Sequence, residues 1–138
     1  MGRILAIDYG LKRTGLAVTD PHRIIATALD AVESSKLLAY LKKYFDKEQV
    51  DELVVGLPKT LSNQDTDMTP HVRKLTELLQ KHFPEKPIHL VDERFTSSIA
   101  KQAMLAGGMK KKDRQIKSNT DKISATLILQ THLEMRRS

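Results

Sequence analysis

Residues 3–19, RILAIDYGLKRTGLAVT, constrain the fold more tightly than any other stretch of the chain. In the first six, Ile4, Ala6 and Asp8 alternate with Leu5 and Ile7. Both sides are apolar until Asp8, so the spacing predicts a strand covered on two faces and ended by a carboxylate. Gly10 marks a turn, and TGLAVT at 14–19 reads as the hairpin partner. A sheet whose first strand is buried on both sides needs a helical layer above and below it.

The rest of the chain supplies those layers. HRIIATALDA at 22–31 predicts a third strand. SSKLLAYLKKYF follows, with Leu37, Leu38, Leu41 and Phe45 on one helical face and Ser34 or Ser35 as the cap. DELVVGLP is a short apolar strand stopped by Gly56 and Pro58. A second helix opens with Thr69 as cap and Pro70 in the first turn, where a missing N–H costs nothing. Its inner stripe is Val72, Leu75, Leu78, Leu79 and Phe83, and Pro84 ends it. PIHLV reads as a strand running into DERFTS, a helix over 97–106 ends at Gly107–Gly108, and a last helix starts near Ser118–Asp121. The expectation is an α/β fold with a mixed five-stranded sheet and helices on both faces. The first three strands are antiparallel, and the last two join through parallel crossovers. With no repeat and no long linker, residues 1–138 form one domain.

Composition narrows the function classes. Apolar residues make up 40% of the chain, enough for a core without staples, and there is no cysteine. Disulfides, thiolate zinc sites and cysteine nucleophiles are excluded, and a reducing cytoplasm suits the chain. Asp8 interrupts the first apolar run, so no signal core is expected there, and no run is long enough for a membrane helix. The net charge of +6 favours polyanionic partners. Four of those six charges come from residues 107–122, GGMKKKDRQIKSNTDK, where Lys110, Lys111, Lys112, Arg114, Lys117 and Lys122 outnumber Asp113 and Asp121. A lysine run is ordinarily a solvated loop, and it gains meaning only beside an acidic site.

The carboxylates fall where such a site would form. Asp8 ends the first strand, Asp92 and Glu93 end the last, and Asp121 opens the final helix. Ligands of open α/β sheets gather outside the carboxyl ends of the strands. Three acids meeting there repel one another unless they bind cations or protonate, and oxygen-only donors suit Mg²⁺ or Mn²⁺. Paired ions of this kind catalyse phosphodiester hydrolysis. Each acid also has a plainer reading. Asp8 would stabilise a turn, Asp121 would favour a helix N-terminus, and Glu93 would pair with Arg94 at the surface. Ser124 and Ala125 are small and one turn beyond Asp121, so they would let the helix come close to the sheet. Alternation separates Asp92 from Glu93 without saying which enters the site.

Other candidates fail. Asn63, Asp65 and Asp67 resemble the start of a calcium loop, but Met68 stands where glycine is required and Lys74 where glutamate is required. His22, His71, His82, His89 and His132 show no pair at metal-ligand spacing, and His71 and His82 read as rim residues of the second helix. There is no G-x-x-x-x-G-K-[ST] phosphate loop.

AIDYGLKRTGLAV, VVGLP, VDERFTS and SNTDKISATLIL, in that order and over nearly the whole chain, resemble the YqgF family. Its members are small bacterial relatives of the RuvC Holliday-junction resolvase with a ribonuclease H-like fold. The resemblance implies that Asp8, Glu93 and Asp121 are catalytic and bind metal, choosing Glu93 over Asp92 by analogy. It also implies a nuclease trimming the 5′ end of the small-subunit ribosomal RNA precursor, with a junction resolvase as the alternative. Two positions depart from the family pattern: KTLSNQ follows VGLP, and Ile123 stands where a small residue is common.

Three functions compete on these residues. The leading one is a metal-dependent phosphodiesterase on structured RNA or branched DNA, with Lys12, Arg13, Arg94, Lys110, Lys111, Lys112, Arg114 and Lys117 gripping phosphates. Such a protein is expected in the cytoplasm, without membrane partners, as a monomer or weak homodimer. The second is a nucleic-acid-binding module whose acids are only structural. The third, one half of an actin-like ATPase, fails on length, because 138 residues supply only one of the two domains needed. Aromatic residues are only 4%, so recognition should rest on backbone and shape rather than base stacking.

Overall fold

The computed structural model describes residues 2–58, 66–92 and 117–137, with side chains described for 122–136 of the last stretch. The elements are β1 (Arg3–Asp8), β2 (Arg13–Thr19), β3 (Ala26–Glu33), a 3₁₀ turn (Ser34–Lys36), α1 (Leu37–Lys47), β4 (Val50–Leu57), α2 (Thr69–His82), β5 (Ile88–Asp92) and α3 (Lys117–Arg137). The five strands form one sheet in the order β3-β2-β1-β4-β5. β1/β2 and β2/β3 are antiparallel, while β1/β4 and β4/β5 are parallel, as the crossovers require. This is the mixed sheet expected from the sequence. The helix expected over 97–106 and residues 107–116 of the lysine-rich segment lie outside the described residues, while its residues 117–122 form the first turns of α3 rather than a loop.

β1 is central, and its pleat separates two cores. Leu5 and Ile7 join Leu37, Leu41, Val72, Leu75 and Leu79 under α1 and α2. Ile4 and Ala6 join Ala17, Val54, Val91, Ala125, Ile128, Leu129 and Leu133 under α3. Each buried Leu or Ile contributes about 1.5–3 kcal/mol of transfer free energy. The α3 layer is built on alanines from both the sheet and the helix, so that helix can pack closely on β1 and β2.

Four local expectations are corrected. β3 begins at Ala26 rather than His22, because Asp20 winds residues 20–25 into a loop. Its carboxylate accepts the backbone N–H of Ile24 and Ile25, both at 2.8 Å, and of His22 at 3.2 Å. Ser34 does not cap α1. Its hydroxyl bonds the carbonyl oxygen of Gly10 and meets the Thr14 hydroxyl at 2.8 Å, tying the helix entry to the β1–β2 turn. Thr69 is the first residue of α2 rather than its cap, and its hydroxyl donates to the Pro58 carbonyl at 2.9 Å. Leu78 leaves the α2 stripe, being 39% exposed beside the fully buried Leu79.

Candidate active site

Asp8 closes β1, paired across the hairpin with Gly15. Two residues along the pleat from the buried Ala6, it lies on the α3 face of the sheet. The turn after it is tight. A Cβ at Gly10 would stand 2.5 Å from the Arg13 carbonyl oxygen, too close for any side chain. The Ser34 backbone N–H donates to the Lys12 carbonyl at 2.9 Å, so the same serine pins both sides of the turn. Beside it, Leu11, Lys12, Arg13, Glu33 and Ser35 line a depression of about 590 Å³, with Lys12 exposed. Two of the expected phosphate-gripping cations, Lys12 and Arg13, are therefore held within one turn of Asp8.

The parallel ladder fixes the other strand end. Ile7 pairs with Val55, and Val55 with Leu90, so these three lie in one row across β1, β4 and β5. Asp92 is two residues beyond that row on β5, two strands from Asp8, which puts their Cα atoms roughly 10 Å apart. Val91 belongs to the α3 core and Ile88 packs against the opposite one. Strand alternation therefore directs Asp92 away from the face that carries Asp8.

Position 121 lies in the second turn of α3, one turn before Ala125, on the stripe that continues through Ile128. Ala125 is fully buried against the sheet, which agrees with the small-residue reading of that face. The side chains of Lys117 and Asp121 lie outside the described residues, as do Glu93, Arg94, Lys110, Lys111, Lys112 and Arg114.

A second polar cluster, absent from the sequence reading, occupies the other end of the sheet. His89 on β5 and Glu52 on β4 meet at 2.9 Å (Nε2 to Oε1), and the His132 ring of α3 lies 5.0 Å from that of His89. Arg136 and Arg23 reach Glu52 Oε2 at 2.6 and 3.2 Å. Arg23 adopts φ 60°, and its guanidinium also bonds Asp51 at 2.8 Å and the Gly2 carbonyl at 2.9 Å. Burial raises the Glu52 carboxyl, but hydrogen bonds from Arg136 and His89 and the two guanidinium charges outweigh it and hold the group below its ordinary range. Burial, with the nearby His89 and Arg136, keeps the His132 imidazole below its usual value. The expectation that no histidines pair at ligand spacing holds along the chain and fails in space. The only sequence signals were a glutamate within an apolar strand and a histidine on an apolar helical stripe.

A family model described as "RuvX: Holliday junction resolvase" matches residues 2–135. The chain belongs to the RuvX family. A protein of Phocaeicola vulgatus named "Putative pre-16S rRNA nuclease" is 51% identical over 137 residues, with 99% of each chain covered. A Bacteroides thetaiotaomicron protein of the same name is 48% identical over the same length and coverage. Among solved structures, T. thermophilus RuvC in complex with a Holliday junction substrate superposes with a TM-score of 0.61 at 14% identity, covering 100% of this chain and 97% of that one. That likeness establishes a RuvC-like, ribonuclease H-like fold. The family resemblance read from the four motifs is thereby met, and so is the mixed sheet it implied.

Proposed function

We propose that this protein is a metal-dependent nuclease, a hydrolase of phosphodiester bonds in structured nucleic acid, that trims the 5′ end of the small-subunit ribosomal RNA precursor in the cytoplasm. Asp8, Glu93 and Asp121 are its metal ligands and catalytic residues. The observation that carries this reading is the position of Asp8, at the carboxyl end of the central strand and on the face covered by α3. The orientation of Asp92 supports Glu93 as the second acid, and the stripe through Ala125 supports Asp121 as the third. The names of the close relatives support the substrate.

The donor set fits a hard divalent ion. All three ligands are carboxylates, whose mutual repulsion such an ion relieves. Bound there, Mg²⁺ or Mn²⁺ supplies Lewis-acid polarisation of the phosphodiester and lowers the pKa of a coordinated water. The chain's own residues do the rest. Gly10 and Ser34 fix the turn that aims Asp8, while Lys12 and Arg13 grip substrate phosphate beside it. Arg94, Lys110, Lys111, Lys112, Arg114 and Lys117 supply further cations for substrate phosphates.

The test is cleavage in Mn²⁺ of a precursor RNA carrying its 5′ leader, beside a four-way DNA junction, with Asp8→Asn as control. The reading expects the RNA to be cut near its mature 5′ end and the mutant to be inactive. Cutting of the junction alone would favour a resolvase, the reading suggested by the family model's description and the RuvC-like fold. Binding of both substrates without cleavage would leave a non-catalytic module.

A further inference from the structure

The Glu52–His89–His132 cluster lies four residues down the sheet from Asp8, since Glu52 pairs with Ile4, so roughly 13 Å separate the two ends. It is assembled from β4, β5 and α3. One carboxylate oxygen of Glu52 and one ring nitrogen from each histidine lie within 4.8 Å of one another. His132 is only 8% exposed, and its buried Nε2 has no hydrogen-bond partner. A buried imidazole nitrogen without a partner is costly, which asks for an acceptor, a donor or an ion.

We propose that Glu52, His89 and His132 bind a divalent transition ion of the zinc class, at a site separate from the carboxylate end of the sheet. Two imidazoles and one carboxylate are the donors that zinc, cobalt and nickel accept, in contrast to the all-oxygen set at Asp8. Tetrahedral coordination at about 2.0–2.1 Å places donor atoms about 3.3 Å apart. His89 and Glu52 need to open by only a few tenths of an ångström, and the widest pair closes by at most about 1.5 Å. The His89 side chain is 42% exposed, so it can make that adjustment and leave solvent the fourth position. Arg23 and Arg136 hold Glu52 by Oε2, which leaves Oε1 facing the histidines. Those guanidiniums also oppose an added cation, so the site binds more weakly than a closed structural zinc site. The ion would fasten the C-terminal end of α3 to β4 and β5, and so hold in place the helix that carries position 121 at its other end.

The experiment uses the untagged full chain, stripped with chelator and titrated with Co²⁺ followed by visible absorption, then with Zn²⁺ by calorimetry. The expected result is that one equivalent of Co²⁺ develops the intense d–d bands of a nitrogen-ligated, low-coordinate site, displaced by Zn²⁺, while Co²⁺ held by the carboxylates adds only weak absorption. His89→Ala and Glu52→Gln should each weaken the Co²⁺ affinity read from those bands at least tenfold, while Asp8→Asn leaves the bands unchanged. Circular dichroism of the half-exposed His89→Ala variant checks that the fold is kept. Absence of the bands in the folded wild type would overturn the site, as would Co²⁺ binding that is lost in Asp8→Asn but kept in His89→Ala. Because the proposal is read by cobalt spectra and not by cleavage, it can fail while the nuclease reading stands.

Discussion

Replacing Gly10 with alanine tests how the hairpin turn serves the site. The added Cβ would lie 2.5 Å from the Arg13 carbonyl oxygen, a backbone atom that no rotamer change can move. Relief to an ordinary contact of 3.4 Å requires the turn to open by about 0.9 Å, and overpacking of this kind costs about 1–3 kcal/mol. The movement has nowhere soft to go. Arg13 opens β2, and Ser34 ties the Gly10 and Lys12 carbonyls to the start of α1. The displacement therefore reaches Asp8 and Lys12. A misplacement of 1 Å can cost about a hundredfold in rate, so a shift of up to about 0.9 Å predicts a loss of about tenfold to a hundredfold. Urea denaturation gives the stability change and single-turnover cleavage gives the rate. A variant within 0.5 kcal/mol of wild type, by the usual tolerance for surface changes, and with full activity would refute the turn's role.

Other perturbations have equally definite outcomes. Ile128→Ala removes a fully buried side chain from the α3 layer and should cost about 2–5 kcal/mol in urea unfolding, with the native far-UV spectrum kept. Lys12→Ala should weaken nucleic-acid binding similarly for all sequences and lower the slope of log K against log salt by about one. Burial, then the neighbouring Asp30 charge and its hydrogen bond, push the Tyr40 hydroxyl up to about 12. The folded state thus holds that proton more tightly than the unfolded chain, whose tyrosine titrates near 10. The stabilisation is complete below that unfolded value and is lost as pH rises through the folded one. Wild type should lose more stability than Tyr40→Phe across that alkaline window, measured by denaturation at stepped pH.

The architecture was legible wherever periodicity alone decides it. The Ile4–Ala6–Asp8 alternation predicted two covered faces, and the structure places a separate core on each. Parallel crossovers followed from the helices between strands. Tertiary partners were not legible. Ser34 has the chemistry of a helix cap, but its hydroxyl meets Gly10 and Thr14 because the β1–β2 turn folds back onto α1. Thr69 likewise gives its hydroxyl to Pro58, eleven residues earlier in the chain. Leu78 fits the apolar stripe of α2 by spacing, yet the sheet is covered by its neighbour Leu79. His89 and Glu52 are 37 residues apart in sequence. They meet His132 only because α3 descends across the sheet, a path set by packing on Ala6 and Ala17 rather than by any local signal. At the candidate active site, local sequence marked the strand end and the glycine turn. Which face of β5 lies under α3 was not legible from alternation, and Val91, buried in the α3 core, shows that Asp92 points to the other face.

The central claim is that Asp8, Glu93 and Asp121 share divalent ions. Manganese titration of the full chain, followed by electron paramagnetic resonance of the free ion, measures this directly in wild type and in the Asp8→Asn, Glu93→Gln and Asp121→Asn variants. The expected result is that each single substitution weakens the same sites and abolishes cleavage, while the fold and nucleic-acid binding persist. Manganese binding that any one of the three substitutions leaves at wild-type strength, with cleavage retained, would contradict it.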